Sequence, residues 1–527
     1  IVFGDWSSDV CSSDLGIVAS TTQAVIEIGS TGIRALIAAL HPDGSYSILD
    51  GADRPVPLGR DVFTSGMLSR DSLRECIAVL RGFKELLASY GIAPGEARVV
   101  GTSAIREAGN RDALVDRISM QTGFKVDIIE DIEENYFMYL AVQHALGEDA
   151  KYFSRSNSII IEIGGGSTEL MLLRRGKIVS VHSLHLGTVR ADELMRSSMG
   201  SSSLNMRFFS ESVRTACDGL EDDLSLAGIR SFIVIGSDAR FAAGQSGIDG
   251  RGNYKLISRA DFETLVDRLK GMAPEGIVTE YGLSYAEAEA LTPGLVLTSL
   301  FLGRTGAEEL VVPNVSIREG LLLAIAGGKK EEIEDEIRKQ ALASALNLAR
   351  RYRFDEEHGR HVAANALALF DGLENLHGMG AKERTLLEAA SLLHDIGAFI
   401  RNGEHHLHSE YIVRNSEIFG LQRDELAVLA SLVRYHRKGG PEGSHAEYMS
   451  LTRQERANVL KLSSLLRVAD ALDRGHTQKV TISDVELREE NVLLKTEGQL
   501  DLSLERFSLA EKADLFEEVF GLKVLLA

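Results

Sequence analysis

Two turns rich in glycine, serine and threonine follow apolar segments of the chain and could bind phosphate. They read Gly29-Ser30-Thr31-Gly32 and Gly164-Gly165-Gly166-Ser167-Thr168. Glycine has no Cβ, so consecutive backbone N–H groups can converge on an anionic oxygen, and the hydroxyls add further donors. Three carboxylates beside the turns are placed to hold Mg²⁺ directly or through water: Glu27, Glu162 and Glu169. The pattern indicates phosphate chemistry assisted by a divalent metal.

The two turns lie in segments that resemble each other, residues 24–37 and 158–171. Each segment has an apolar β-branched run, then Glu-Ile-Gly, small residues with hydroxyls, and a second apolar run. Both patterns predict a β-hairpin with a tight turn. Two unrelated hairpins are the alternative, because Gly-Ser turns are common. If the hairpins are related, the chain contains a duplicated unit.

A second group of candidate residues lies in the C-terminal part, where ten of the 14 histidines fall between residues 358 and 476. Imidazole and carboxylate ligands together suit a divalent metal that activates water. Asp470 occurs in an apolar helical segment, 459–472, where an isolated carboxylate is costly unless it is paired or metal-bound. His394 and Asp395 end another apolar helix, with Gly397 as its predicted C-cap. Any one of these histidines taken alone is more often a core or surface residue.

The elements that must position these residues change in character along the chain. Predicted strands 97–101 and 125–129 alternate with predicted helices 72–89 and 112–121, which indicates α/β architecture. A charged stretch, 329–336, is interpreted as a solvated helix face. It leads into long helices with little strand signal. The predicted strands 480–487 and 491–496 and a final helix, 509–519, end the chain.

Composition limits the possible function. The chain has 527 residues, a net charge of −20 and 44% hydrophobic residues, an ordinary globular composition that excludes wholesale disorder. Three cysteines fit a reducing cytosol, which predicts a cytoplasmic protein. No apolar run is long enough to span a bilayer, so no membrane association is expected. The acidity argues against duplex nucleic acid as a partner.

Residues 5–15 read as the conceptual translation of a common sequencing-library adapter. This stretch has no periodicity and no apolar core of the kind found in signal peptides. We therefore exclude residues 1–15 from fold reasoning. Their removal takes away three aspartates and no basic residue, so the net charge becomes −17.

Four segments resemble motifs of the Ppx/GppA family, which comprises exopolyphosphatases and guanosine pentaphosphate phosphohydrolases of the actin-like ATPase superfold. They are residues 101–110, 162–169, 183–190 and 317–321, and the match runs in the family's order from about residue 22 to 325. The resemblance implies an α/β fold with two RNase H-like lobes and an active site in the cleft between them. It also implies Mg²⁺-assisted attack of water on a terminal phosphoanhydride, with inorganic polyphosphate or guanosine pentaphosphate as substrate.

The resemblance also implies roles for individual residues. The family's catalytic glutamate lies in a Glu-Glu-Ala-Arg stretch that opens a helix, so Glu134 is the candidate base, with Glu133 beside it. A carboxylate facing bound phosphate can accept a proton. The alternative is that both complement the helix dipole. Arg106, in the Thr-Ser-Ala-x-Arg motif, is expected to pair with phosphate oxygens, with a surface salt bridge as its alternative.

The sequence departs from the family at four places. The family has Asp where this chain has Glu27 and Glu162, and Ser-Asn-Ser where it has residues 30–32. Glutamate reaches about 1.5 Å further than aspartate, and a misplacement of ~1 Å can cost ~10²-fold in rate. A glycine-rich turn is only partly kept at residues 236–240. A catalytically weak sensor that binds polyphosphate or nucleotide is therefore the alternative function.

The C-terminal histidines resemble an HD domain. His358, the His394-Asp395 pair and Asp470 fall at its ligand positions, which implies a second divalent metal. Residues 405–409, 434–438 and 466–473 look like the C-terminal extension of the longer exopolyphosphatases, which implies a homodimer. His408 and His436 are predicted to line the same pocket. The third hypothesis is that this domain is a metal-dependent phosphohydrolase and the main hydrolase of the chain.

The predicted organisation has four parts. Residues 1–15 are the adapter segment, 16–140 form lobe I and 141–328 form lobe II of the actin-like fold. Residues 329–527 form an all-α HD domain with a small C-terminal α+β segment. The leading functional hypothesis is a phosphoanhydride hydrolase that releases terminal phosphate.

Overall fold

The structure is a computed structural model, and it describes residues 20–527 except 154, 191–201, 221–224, 328–329, 417, 419, 438 and 497–501. Residues 1–15, interpreted as an adapter segment, lie outside the described part. The chain forms two compact units. The first contains the residues up to Ile129 with Phe137–His144 and Val315–Lys330, and the second contains Glu130–Tyr136, Ala145–Asn314 and Glu331–Ala527. Because both units are discontinuous in sequence, the predicted boundaries at 140 and 328 stay predictions.

The first unit is built on a five-stranded sheet. Its strands are β1 (Thr21–Ile28), β2 (Gly32–Leu40), β3 (Tyr46–Pro55), β4 (Arg98–Gly101) and β5 (Val126–Ile128). The order is β3-β2-β1-β4-β5, with β1 antiparallel to β2 and parallel to β4. The apolar residues Val25, Ile26 and Ile28 of the central strand β1 are fully buried. Because successive side chains point to opposite faces, this strand is covered on both faces of the sheet.

Helices cover this sheet and complete the first core. They are Leu58–Ser65, Arg70–Ser89, Ser103–Arg106, Arg111–Thr122 and Ile317–Ala326. A further helix, Asp131–Leu146, contributes residues to both units. The long helix Arg70–Ser89 starts at a capping serine, Ser69, whose hydroxyl accepts the Ser72 N–H at 3.1 Å. Within two residues at each end, the predicted helices 72–89 and 112–121 are confirmed.

The second unit repeats the arrangement in a seven-stranded sheet. Its strands are β6 (Asn157–Ile163), β7 (Thr168–Arg174), β8 (Lys177–Leu184), β9 (Ile229–Ile235), β10 (Ile248–Asp249), β11 (Tyr254–Ser258) and β12 (Glu309–Pro313). Five of them, in the order β8-β7-β6-β9-β12, reproduce the order and the strand directions of β3-β2-β1-β4-β5. This repetition confirms the predicted duplicated α/β fold.

Helices and two short 3₁₀ segments accompany the seven-stranded sheet. The helices are Ala150–Phe153, Ser202–Leu220, Ser237–Ser246, Arg259–Lys270, Pro274–Tyr281 and Tyr285–Leu302, and the 3₁₀ segments are Gly147–Asp149 and Leu226–Gly228. Their apolar faces form one core with β6, β7, β9 and β12, centred on Phe232, Phe262 and Phe301. This packing fixes the loops that follow β6 and β8.

The C-terminal part of the second unit is helical, as predicted. Its helices are Lys330–Arg351, Glu356–Gly372, Glu374–His377, Ala381–Leu393, His405–Arg414, Arg423–Tyr435, Ala446–Met449, Arg453–Ala471, Ser503–Lys512 and Asp514–Phe520, with a 3₁₀ turn at Ile396–Phe399. They share one core, and a small sheet joins it: β13 (Ile482–Leu487), β14 (Asn491–Thr496) and β15 (Lys523–Leu526).

Two local predictions in this part are wrong. The final helix, predicted at 509–519, is two helices that meet at Ala513, and β15 follows them. Asp514, the first residue of the second helix, accepts a hydrogen bond from the buried Arg467 guanidinium at 2.6 Å. Gly397 is not a helix C-cap but lies in the 3₁₀ turn. A Cβ on Gly397 would overlap the His405 carbonyl, so the glycine lets the 3₁₀ turn pack closely against the His405–Arg414 helix.

Candidate active site and candidate metal centre

The second glycine-rich turn joins β6 to β7 and is held by backbone hydrogen bonds. The N–H groups of Thr188 and Val189 donate to the carbonyls of Gly164 and Gly165, both at 2.9 Å. Gly187 approaches so closely that a Cβ on it would overlap the Gly165 carbonyl. The segment that follows β8 therefore fixes the shape of the predicted phosphate-binding turn from outside the hairpin.

Side chains add to this support. The Arg190 Nε donates to the Gly166 carbonyl at 2.7 Å. The Thr168 hydroxyl donates to the Leu186 carbonyl, so this predicted phosphate donor stabilises the turn itself. Ser167 is buried at the end of the turn. The geometry is that of a rigid backbone loop at the end of a central strand.

Two carboxylates lie beside this turn. Glu162 and Glu169 are direct partners in the antiparallel register of β6 and β7, so their side chains leave the same face of the hairpin. Glu169 is only 3% exposed. Its two oxygens accept hydrogen bonds from Asn135 Nδ2 at 2.9 Å and from Ser183 Oγ at 2.7 Å. Burial, followed by repulsion from Asp131, raises the pKa of Glu169 to about 7.

These residues fit a divalent cation. Glu162 and Glu169 occupy partnered positions of the hairpin, and a cation bound to both carboxylates would neutralise their charge. Carboxylate oxygens are also the ligands that Mg²⁺ prefers. Glu162 and Glu169 are therefore the residues of this hairpin suited to hold the metal, with the predicted phosphate-binding turn next to them.

The two candidate catalytic glutamates have different surroundings at the start of the Asp131–Leu146 helix. Glu133 Oε2 accepts the Glu130 N–H at 3.2 Å, which is the contact that an N3 glutamate makes in a capping box. Glu134 is half-buried, and its N–H donates to the Glu130 carbonyl at 3.0 Å. Asn135, the next residue, donates a hydrogen bond to the Glu169 carboxylate. The helix-capping alternative therefore describes Glu133 better than Glu134.

The first glycine-rich turn, in the first unit, has a similar backbone. The Gly29 N–H donates to the Gly32 carbonyl at 2.9 Å, as Gly164 does to Ser167 in the second turn. The Gly59 N–H donates to the Ser30 carbonyl at 2.8 Å. The Ser30 and Ser103 hydroxyls lie 3.0 Å apart. The duplicated hairpins thus share turn geometry as well as strand order.

The charges beside the first turn differ from those beside the second. Glu27 is opposite Arg34 in the register of β1 and β2, and its carboxylate lies 3.7 Å from Arg34 Nη1 and 3.4 Å from Arg318 Nε. Arg34 also donates to Thr31 Oγ1 at 3.1 Å and to Asp53 Oδ2 at 2.9 Å. Because two guanidinium groups already compensate Glu27, its surroundings fit a cation poorly. The predicted metal role of Glu27 stays a prediction, without support from these contacts.

Arg106, the predicted phosphate contact, lies at the end of the short Ser103–Arg106 helix. Its Nη1 donates to the Ile129 carbonyl at 2.7 Å, and its own carbonyl accepts from Arg111 Nη1 at 3.2 Å. The side chain is half-buried. One edge of the guanidinium therefore ties this helix to the segment after β5.

The four metal ligands predicted in the C-terminal part lie close together. Nε2 of His358 is 3.3 Å from Nε2 of His394 and 3.8 Å from Asp470 Oδ1, and Nε2 of His394 is 3.7 Å from Asp395 Oδ2. Two further histidines contact the Asp395 carboxylate. We call these residues the histidine cluster: His358, His394, Asp395, His405, His436 and Asp470.

One histidine of this cluster was not predicted to belong to it. His405 Nε2 lies 3.0 Å from Asp395 Oδ1 and 3.2 Å from His436 Nε2. His405 is therefore the partner of His436, and the predicted place of His408 in the same pocket stays a prediction. His405 is the first residue of its helix, after Glu404 with a left-handed backbone (φ 61°). That turn points the first helical residue toward Asp395.

The electrostatics of the cluster act differently on its histidines. Burial lowers the pKa of His394 and His436, whereas against the effect of burial Asp473 and Asp470 raise the pKa of His358. Burial, with His394 adding to it, lowers the pKa of His436 to about 3. Burial would raise the pKa of Asp470, but Lys512 and His394 hold it at about 2. Burial also opposes ionisation of Asp395, whose pKa the neighbouring histidines keep well below its usual range. Neutral imidazole and carboxylate are the ligand forms that metal ions bind.

Comparisons with known proteins identify the family. A model of the Ppx/GppA phosphatase family matches residues 37–328. This chain belongs to the Ppx/GppA phosphatase family. A model of Ppx/GppA phosphatase domain III matches residues 337–518. The C-terminal helical region is thus domain III of the family, and the finer assignment to an HD domain stays a proposal.

Solved structures agree in fold. A crystal structure of an exopolyphosphatase from Cytophaga hutchinsonii aligns with a TM-score of 0.53 at 20% identity, covering 58% of this chain and 98% of that chain. An exopolyphosphatase-like protein aligns with a TM-score of 0.51 at 20% identity over the same shares. At this identity the likeness establishes the actin-like fold alone.

Membership of the Ppx/GppA family confirms several predictions at the level of the class. The chain is a phosphoanhydride hydrolase by family, and enzymes of this family depend on divalent metals. Among the described residues, no helix combines the length and the apolar character needed to cross a membrane.

Sequence reasoning missed residues that the structure brings to these sites. Ser183 and Asn135 donate to Glu169, and Arg34 and Arg318 compensate Glu27. The signal for Arg34 was available, because it occupies the position in the first repeat that Glu169 occupies in the second. The other contacts join residues too far apart in sequence to be paired by pattern.

Proposed function

We propose that this protein releases terminal phosphate from inorganic polyphosphate or from the 5′ end of guanosine pentaphosphate. Water attacks the terminal phosphorus while Glu134 accepts a proton from it, and the bond to the bridging oxygen breaks. The single observation that carries the proposal is the Glu162–Glu169 pair beside the Gly164–Thr168 turn, linked through Asn135 to the helix turn that holds Glu134.

Each part of this hairpin has a chemical role in the proposal. The turn supplies backbone N–H groups to phosphate oxygens, in a loop already fixed by Thr188 and Val189. Glu162 and Glu169 hold Mg²⁺, which supplies charge neutralisation on the phosphate oxygens when bound. Asn135 orients Glu169 through its hydrogen bond. Arg106 remains a proposed phosphate contact.

The test compares two adjacent glutamates. Glu134→Gln removes the proton acceptor and should lower kcat for phosphate release from polyphosphate by about 10²- to 10⁴-fold. Glu133→Gln is the matched control: the glutamine amide oxygen can still accept the Glu130 N–H, so both stability and kcat should stay nearly unchanged. Undiminished turnover in the Glu134→Gln enzyme would contradict the role of Glu134 as the proton acceptor.

The substrate and the partners need separate measurements. Guanosine pentaphosphate and polyphosphate present the same terminal anhydride, so phosphate release is assayed on both, with and without Mg²⁺. We also propose a cytoplasmic homodimer that has no duplex nucleic acid among its partners. Light scattering of the purified chain tests the dimer, and a single-chain mass would contradict it.

A specific observation supports a second candidate, the sensor. Glu27 is compensated by Arg34 and Arg318, so the first hairpin has less need of a metal ion than the hydrolytic reaction would require. In this reading the actin-like fold binds polyphosphate or nucleotide with little hydrolysis. Two results would favour the sensor. The wild-type protein would bind the ligand without releasing phosphate, and the double substitution Glu27→Asp with Glu162→Asp would restore phosphate release.

The converging ligands of domain III support the accompanying proposal of a second divalent metal. His358, His394, Asp395 and Asp470 would hold this ion in an HD-type site, with a phosphohydrolase activity of its own. If phosphate release survives Glu134→Gln but disappears with Asp395→Ala, the helical region carries the activity. If Asp395→Ala leaves both activity and metal content unchanged, this proposal fails while the hairpin proposal stands.

A further inference from the structure

Asn135 carries a buried amide oxygen that no hydrogen bond satisfies in the described part of the chain. Asn135 lies near the start of the Asp131–Leu146 helix and is only 1% exposed. Its Nδ2 donates to the Asp131 carbonyl at 2.7 Å and to Glu169 Oε2 at 2.9 Å. Its Oδ1 is buried and accepts no hydrogen bond from the described residues. Buried polar atoms are normally satisfied, so an unsatisfied one indicates a group that binds to it.

The orientation of this amide is fixed by its partners. A backbone carbonyl can only accept a hydrogen bond, so the atom 2.7 Å from the Asp131 oxygen must be the amide nitrogen. Turning the amide over would place two oxygens against each other and leave Glu169 Oε2 without this donor. The side chain is also held at two points, on its own helix and on β7. Oδ1 is therefore an acceptor in a fixed position.

Covalent geometry places Oδ1 beside the carboxylates of the β6–β7 hairpin. Because the oxygen and nitrogen of an amide are about 2.3 Å apart, and Nδ2 lies 2.9 Å from Glu169 Oε2, Oδ1 is within about 5 Å of that oxygen. Glu162 is the register partner of Glu169 on the same face of the hairpin. Oxygens that share one Mg²⁺ are roughly 3–4 Å apart, since each lies about 2.1 Å from the ion. The three side chains can therefore meet at one cation.

A buried water is the competing partner of Oδ1. A water held in a protein interior needs two to four polar partners. The groups around Oδ1 supply acceptors rather than donors, because the hydrogens of Asn135 Nδ2 and Ser183 Oγ are already donated. A water has two hydrogens to offer and its own oxygen would lack a donor here, whereas a cation binds every oxygen that faces it. The chemistry of these groups therefore favours a cation.

We propose that Asn135 Oδ1 is a ligand of the divalent cation held by Glu162 and Glu169. The inference deepens the metal site of the proposed function and rests on it. Amide carbonyl oxygens bind divalent cations as carboxylate oxygens do. Because the amide is neutral, it adds a ligand without adding a third negative charge. Asn135 thus has two functions at once: its nitrogen orients Glu169, and its oxygen binds the ion that Glu169 binds.

The experiment detects the ligand directly in the full chain, with Mn²⁺ as the probe. The protein is produced with asparagine labelled with ¹³C at the side-chain amide carbon, and electron–nuclear double resonance reports ¹³C nuclei close to manganese. A bound amide places this carbon about 3 Å from the ion, so a strong ¹³C coupling is expected. Asn135→Asp keeps an oxygen at the ligand position, so this variant should bind manganese and lose the ¹³C coupling.

The affinity for Mn²⁺, measured by calorimetric titration, is the second readout. Asn135→Leu keeps the size of the side chain and removes both the donor and the proposed ligand, so we expect the Kd to rise roughly 10²-fold. Ser183→Ala is the matched control, because it removes the other hydrogen bond to Glu169 and no proposed ligand. It should raise the Kd by only about tenfold. If Asn135→Leu does not fold, the ¹³C coupling still decides the outcome.

The outcomes separate this inference from the proposal on which it rests. Manganese bound to the wild type without ¹³C coupling would overturn the inference and leave Asn135 as an orienting donor only. A coupling that persists in Asn135→Asp would come from another asparagine and would overturn it too, as would equal Kd values for Asn135→Leu and Ser183→Ala. If the wild type binds no manganese, the metal site of the proposed function fails together with this inference. Hydrolysis that depends on Glu134 is measured independently.

Discussion

The two glycine-rich hairpins have the same backbone and opposite electrostatics. In each, a glutamate lies at the same step of the first strand and faces a residue seven positions later in the second strand. In the first hairpin this partner is Arg34, and the carboxylate is compensated by Arg34 and Arg318. In the second it is Glu169, so two glutamates occupy the partnered positions.

The difference shows that one backbone can serve two kinds of ligand. A carboxylate between guanidinium groups is already neutralised, so it does not require a metal ion. Two glutamates at partnered positions, one of them buried, can be neutralised together by a bound cation. One exchanged residue in a fixed register therefore decides between the two, which places the proposed metal chemistry in the second hairpin only.

The largest expected effect comes from breaking the carboxylate pair. Glu169→Gln keeps shape and hydrogen-bonding length but removes a charge, and we expect kcat for phosphate release to fall roughly 10²- to 10³-fold. Steady-state kinetics at saturating Mg²⁺ measure it. Glu27→Gln is the counterpart in the first hairpin and should cost less than about tenfold. Equal losses in the two variants would contradict the assigned difference.

An intermediate effect is expected from displacing the second turn. Gly187→Ala adds a Cβ that overlaps the Gly165 carbonyl, so the turn must shift. A shift of ~1 Å in a binding loop can lower the rate by about 10²-fold. The control is Gly82→Ala in the Arg70–Ser89 helix, where a Cβ meets no atom within 4 Å. That variant should keep full activity and gain up to about 1 kcal/mol of stability. Full activity of Gly187→Ala would mean that the turn does not bind substrate.

The smallest effect should come from making the first hairpin resemble the second. Arg34→Glu places a second carboxylate opposite Glu27, while Arg318 still compensates part of the charge. We expect a weak additional divalent site, with a Kd on the order of 10⁻³ M. Calorimetric titration with Mn²⁺ measures it, and Arg34→Gln is the control that should add no site. If both variants gave the same titration curve, a carboxylate pair in this register would not be sufficient to create a divalent-metal site.

The hairpins were predictable because their signals are local. Seven positions separate Glu162 from Glu169, and a tight turn between them leaves only one register that makes them partners. The same count predicts the pairing of Glu27 with Arg34. The contact from Arg318 was not predictable, because 291 residues separate it from Glu27 and only the folded core brings them together.

The histidine cluster was also predictable only in part. The resemblance to an HD domain indicated four of its residues, and apolar helices supported three of them: His394, Asp395 and Asp470. The place of His405 was missed, because it depends on the left-handed turn at Glu404 that begins its helix. The break in the final helix was missed as well: Asp514 contacts Arg467 on a distant segment, which no local pattern reveals.

Asn135 has a consequence for which sequences this site tolerates. Its amide donates to Glu169 and to the Asp131 carbonyl. Replacing it by alanine would leave a buried Glu169 oxygen without its 2.9 Å donor. The two positions are therefore coupled: a change at residue 135 alters what residue 169 requires, and their substitutions should not be additive.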